Sequence, residues 1–173
     1  MRTICFGFSR PKVLRWKPLA VLILWYDKDG FDHGYVRFHS GSWNTDFIYQ
    51  SSGSRTNFMG GDYFSEINIV AEEYLLQVPD DVEAKIGALC VSREGRPYPA
   101  RTILGLGLVK LLGFIKLKIK NPFPSNFRDC IGEQAAILTD GLGIDCPLDF
   151  NELTPKDFRD WLLTVPGISK RSV

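Results

Sequence analysis

The tightest constraint in this chain is an alternation. From residue 33 to 39, His33, Tyr35, Arg37 and His39 fall on one side of an extended segment, and Gly34, Val36 and Phe38 on the other. Gly41-Ser42 and Asn44-Thr45 supply turn chemistry, and Asp46-Phe47-Ile48-Tyr49-Gln50 reads as the returning strand. A hairpin is therefore predicted here. Further strands are expected at Met1–Ser9, 64–70 and 74–78, with a turn at Asp27-Lys28-Asp29-Gly30 and a Ser/Gly-rich loop over 51–61. Leu19–Trp25 is compatible with either a helix or a buried strand.

The second half reads as helical. Asp80-Asp81 opens a helix with Val82, Ile86, Ala88 and Leu89 inward and Gly95 beyond its end. Arg96-Pro97-Tyr98-Pro99 is a rigid connector to a very apolar helix over 101–115. Ile115-Lys116-Leu117-Lys118-Ile119-Lys120 alternates and is expected to be an edge strand blunted by lysines, with a short basic surface segment as the alternative. Thr154-Pro155-Lys156-Asp157 starts a last helix running to about Leu163, and Pro166-Gly167 closes the fold. Strands followed by helices indicate an α+β fold, here as a single domain over 1–173.

A net charge of +1 argues against a protein whose main partner is duplex nucleic acid. The four cysteines (Cys5, Cys90, Cys130, Cys146) contain no C-x-x-C pair and there are two histidines, so no metal centre or other cofactor is expected. The apolar run Pro18–Tyr26 is about half of a membrane span. Arg10, Lys12, Arg15 and Lys17 break any signal-peptide core, so no export signal is expected.

Chemistry centres on Cys130. Ile131, Gln134, Ala135 and Leu138 recur at helical spacing, and Asp129 is a natural N-cap, which sets Cys130 in the first turn of a buried helix. The positive end of a helix favours thiolate, whereas a plain reading makes Cys130 a small core residue. A nucleophilic thiol needs a base, and the base needs an orienting group. His33 and His39 are ~20 Å apart along one strand face, so one alone can serve Cys130. His33, beside a turn, is the better placed, while His39 is expected at the surface. Gln50 ends the returning strand near the start of the first, where its amide can fix the imidazole tautomer. Asp32 is disfavoured because neighbouring strand residues face opposite ways. The Cys130 backbone N–H is the expected oxyanion donor.

These residues carry a resemblance. His33-Gly34-Tyr35-Val36-Arg37-Phe38 resembles the "SHVxIRF" strand of the circularly permuted, NlpC-type branch of the papain-like cysteine hydrolases, with Asp32-His33 in place of Ser-His. Ile48-Tyr49-Gln50-Ser51-Ser52-Gly53 resembles its "VYEATG" segment, Gly95-Arg96-Pro97-Tyr98 its "GKPYD", and the helix led by Cys130 its "CSELVAxAL". Leu153-Thr154-Pro155-Lys156-Asp157-Phe158 resembles its "xTPxDL" close, and Phe8-Ser9-Arg10-Pro11 with Leu22-Ile23-Leu24-Trp25 the opening of phage-encoded members. The landmarks keep their order over about residues 1–163. The resemblance implies a papain-like fold, a small antiparallel sheet packed against the Cys-bearing helix, and a Cys130–His33–Gln50 site. Two departures stand out: Gln50 replaces the usual Glu, and Ile131-Gly132-Glu133 replaces Ser-Glu after the cysteine.

The implied activity is thiol hydrolysis of an amide in a peptide or isopeptide of the cell-wall type, by a phage protein acting in the host cytoplasm or carried in the particle. One alternative is acyl transfer or thioester cleavage on a lipid-linked substrate, with 102–115 and the three lysines after it at a membrane. The plainer reading of that stretch is a core helix and a solvated edge. Another alternative is a structural or host-interaction protein that keeps the fold without catalysis.

Overall fold

The computed structural model describes residues 1–13, 18–27, 30–40 and 45–171. In chain order it contains β1 (Arg2–Pro11), α1 (Pro18–Asp27), β2 (His33–Ser40), β3 (Thr45–Ser52), β4 (Arg55–Gly60), α2 (Gly61–Ile67), β5 (Asn68–Val78), α3 (Asp80–Arg93), α4 (Ala100–Phe114), α5 (Cys130–Ala136), α6 (Pro155–Leu162) and β6 (Ile168–Arg171). The class is α+β. The described strands form one antiparallel sheet ordered β4-β3-β2-β1-β5-β6.

The central strand β1 is buried at six consecutive positions, so both faces of the sheet are covered, unequally. Ile4, Phe6 and Phe8 of β1 join Val36, Tyr49, Tyr74 and Leu76 on one face, and these pack against α3, α5 and α6. Burying each large apolar side chain there contributes about 1.5–3 kcal/mol. The opposite face carries a smaller cluster, in which Phe64 of α2 lies 4.5 Å from Tyr35, centroid to centroid. A third cluster joins α1 to α4 through Ile23, Ile103 and Leu106.

The expected hairpin is present as β2 and β3, paired from Tyr35–Gln50 to Ser40–Thr45. Its turn residues Gly41, Ser42 and Asn44 lie outside the described residues, as do Lys28 and Asp29 of the earlier turn. Leu19–Trp25 belongs to a helix, α1. The loop expected over 51–61 instead contains β4, which extends the sheet at its edge. The strand expected at 64–70 is helical up to Ile67, because Phe64 is drawn into the Tyr35–Ile48 cluster. Extended backbone then runs without a break from Asn68 to Val78, through a register shift opposite Phe8/Ser9. Ile115–Lys120 is not an edge strand. Leu117 N–H bonds Leu112 O and Lys116 N–H bonds Gly113 O, with Lys116 at φ 62°, which is a Schellman ending to α4. Thr154 and Asp157 form the capping box of α6, while β6 carried no warning beyond the Pro166-Gly167 turn.

Candidate active site

His33 opens β2 and Gln50 lies near the end of β3. Register pairs Tyr35 with Gln50, so Gln50 projects on the same sheet face as Tyr35 and His33. His33 Nε2 lies 2.6 Å from Gln50 Oε1. The Gln50 amide nitrogen faces Met59 Sδ at 3.4 Å, which turns its oxygen toward the imidazole. An oxygen at that distance requires a proton on Nε2, so Nε2–H donates, and in the neutral ring Nδ1 carries the lone pair. His39, 59% exposed, sits instead against Asp46, with Nδ1 2.7 Å from Oδ1.

Cys130 is the first residue of α5. Asp129 caps that helix by accepting from Gly132 N–H at 2.8 Å. The close approach of α5 to β2 depends on Gly34: a Cβ there would lie 1.9 Å from Gln134 Nε2 and 2.7 Å from Ile131 Cδ1. The Cys130 sulfur receives the Gly34 N–H and the Tyr98 O–H. The thiol is therefore held against the backbone of the residue that follows His33.

The thiolate expected from the helix end is not favoured. Cys130 is 2% exposed, and burial pushes its thiol well up, with the charge of Asp129 adding to the effect and that of Asp32 a lesser contribution. Gly34 N–H and Tyr98 O–H pull in the other direction and do not offset this. α5 has seven residues, and its N-cap is itself a carboxylate. Burial raises Asp129 to about 6 against the pull of the Gly132 and Ile131 N–H groups.

A cavity of about 370 Å³ opens beside this pair. His33, Gln50, Asp32 and Tyr98 form its polar end, and Ile23 of α1 and Met59 of β4 belong to its apolar wall. Tyr98 and Asp32 line the cavity and also act on the Cys130 sulfur, so the thiol sits just behind that wall. Asp32 precedes β2 rather than belonging to it, so strand alternation does not turn it away from His33. Tyr98 was read as part of a connector. Its N–H bonds Ser54 O at 2.9 Å and Pro97 bridges Arg55, which fixes its backbone against the β3–β4 turn. The available signal was an aromatic residue locked between two prolines. Glu133 points away from the sulfur, to Tyr49 Oη at 3.2 Å and Arg93 Nη1 at 3.4 Å.

Among the described residues, no group of three or more His, Cys, Asp or Glu side chains could hold a metal ion, and no helix is long and apolar enough to cross a membrane. The chain matches no model of a known protein family and no curated protein sequence.

Proposed function

We propose that the chain is a thiol hydrolase of the permuted papain-like, NlpC-type class, cleaving an amide in a cell-wall-type peptide or isopeptide. The observation that carries this reading is the 2.6 Å His33–Gln50 hydrogen bond, next in chain to the Gly34 N–H that bonds the Cys130 sulfur. Gln50 holds Nε2–H, leaving Nδ1 to take the thiol proton as sulfur attacks the carbonyl carbon. Because Cys130 rests as a neutral thiol, proton transfer accompanies attack and no preformed ion pair is required. The Cys130 backbone N–H and the Tyr98 hydroxyl meet the oxyanion. The C–N bond then breaks, and Nδ1–H returns its proton to the leaving amine. Water, deprotonated by His33, attacks the thioester, the C–S bond breaks, and the thiol is restored.

The test is release of new amines from peptidoglycan peptides, followed by chromatography. Cys130→Ala and His33→Ala are each expected to abolish it. Full turnover by Cys130→Ala would remove the nucleophile from this scheme.

One observation favours a second reading, a binding domain that keeps the fold without chemistry: Cys130 is 2% exposed and its thiol is raised. That reading expects the native chain to be as inactive as Cys130→Ala while still binding peptide in the cavity.

A further inference from the structure

Helix α4 carries only two charged residues, Arg101 and Lys110. Its inner side gives Ile103 and Leu106 to the contact with α1. Leu104, Leu108, Leu111 and Ile115 then recur along its outer side at helical spacing, with Leu111 51% and Ile115 71% exposed. Phe114 is 64% exposed and its ring lies 6.1 Å from that of Trp25, itself exposed on α1 beside Val21. Two neighbouring helices thus present one apolar surface with an aromatic pair at its edge. Apolar patches of this kind, rimmed by polar residues, mark interaction sites.

Basic residues predominate in the segments that flank this face. Between Glu94 and Asp129 the chain carries seven basic residues (Arg96, Arg101, Lys110, Lys116, Lys118, Lys120 and Arg128) and no acidic one, although Arg128 is paired with Asp140 and Asp27 ends α1. Lys116, Lys118 and Lys120 are exposed just after the Schellman ending, next to Phe114 and Ile115. In a chain of net charge +1, that segregation concentrates positive charge around the apolar surface. Leu and Phe to enter an acyl boundary, Trp at the headgroup level and lysines for anionic headgroups are the components of an interfacial anchor.

We propose that the α1–α4 face docks on an anionic lipid bilayer, lying on it without crossing. The docked surface adjoins the cavity, since α1 supplies Pro18, Ala20 and Ile23 to its wall and Tyr98 leads into α4. The inference stands apart from the reaction assigned to Cys130.

Flotation of the full chain with phosphatidylcholine vesicles, with and without phosphatidylglycerol, tests it. Binding to the anionic vesicles alone is expected, declining as salt screens the lysines. Each lysine removed weakens it about fivefold, and the triple variant K116E/K118E/K120E by at least ~100-fold. Leu111→Ser with Phe114→Ser, both at exposed positions and so compatible with folding, abolishes what remains. Cys130→Ala binds as the native chain does, which separates docking from catalysis. No flotation at low salt, or equal flotation with neutral vesicles, overturns the proposal. So does a concentration-dependent dimer lost in the Leu111/Phe114 double variant, which would give the face to a second copy.

Discussion

At the residue scale, the imidazole is oriented by a neutral amide. Gln50 accepts one hydrogen bond from His33 but offers no charge to stabilise an imidazolium. If the proposed hydrolysis holds, Gln50→Glu should stabilise the imidazolium and move the acidic limb of its pH profile to higher pH, whereas Gln50→Ala should lower turnover with little change in substrate binding. Steady-state kinetics across pH separates the two. Thiol accessibility follows from burial: Cys146 is partly exposed, while Cys5, Cys90 and Cys130 are buried. Iodoacetamide at neutral pH should label Cys146 first, as mass mapping would show. Gly34 tolerates no side chain, since a Cβ would meet Gln134 and Ile131. Gly34→Ala should cost about 1–3 kcal/mol by overpacking, measured by urea unfolding, and reduce activity beyond that loss.

At the element scale, α4 ends on a lysine in a left-handed conformation. A non-glycine residue there costs roughly 1–2 kcal/mol, partly offset by the greater unfolded-state freedom of glycine. Lys116→Gly should accordingly stabilise the chain by up to about 1 kcal/mol, seen as a rise in Tm, while slightly weakening vesicle binding. Removing the capping hydroxyl with Thr154→Ala should cost ~1 kcal/mol. The two helix ends differ in how openly the sequence announces them. Thr154-Pro155-Lys156-Asp157 is a local code and reads correctly. Ile115–Lys120 alternates like a strand, but no strand among the described residues pairs with it, and alternation without a partner leaves only a coiled exit from α4.

At the scale of the whole molecule, legibility follows the range of the interactions. The β2–β3 hairpin, and with it the meeting of His33 and Gln50, is encoded by local periodicity and turn residues. β4, α2 and β6 are settled by packing against distant elements: Phe64 goes helical to reach Tyr35 and Ile48, and Ile168–Arg171 pairs with β5 far upstream. Tyr98 escaped notice because its partner sulfur is remote in sequence, and Cys130 reads as a thiolate until the burial and acidic neighbours of α5 are known.

Stability against pH also belongs to this scale. Asp129 has its folded pKa raised to about 6, above the usual carboxylate value, so its contribution is fully present below the unfolded pKa and is lost as pH rises through about 6. Burial raises Glu133 in the same sense, while Asp46, Glu72 and Asp140 are lowered and contribute with the opposite sign. Asp129→Asn keeps a cap for Gly132 and removes one titration. Its stability relative to the native chain should improve steadily between about pH 4 and 6, and then level off, in urea titrations.

The antiparallel hairpin that joins His33 to Gln50 closes over a short stretch of chain, whereas the contact between β2 and α5 spans roughly a hundred residues. Local hairpins form in microseconds, and contacts of long sequence separation wait for loop closure. On the ribosome the imidazole and its amide can therefore meet while α5 is still unmade, and the Cys130 sulfur reaches the Gly34 N–H only near the end of synthesis. The join between the hairpin and α5 thus waits until the last helices have emerged.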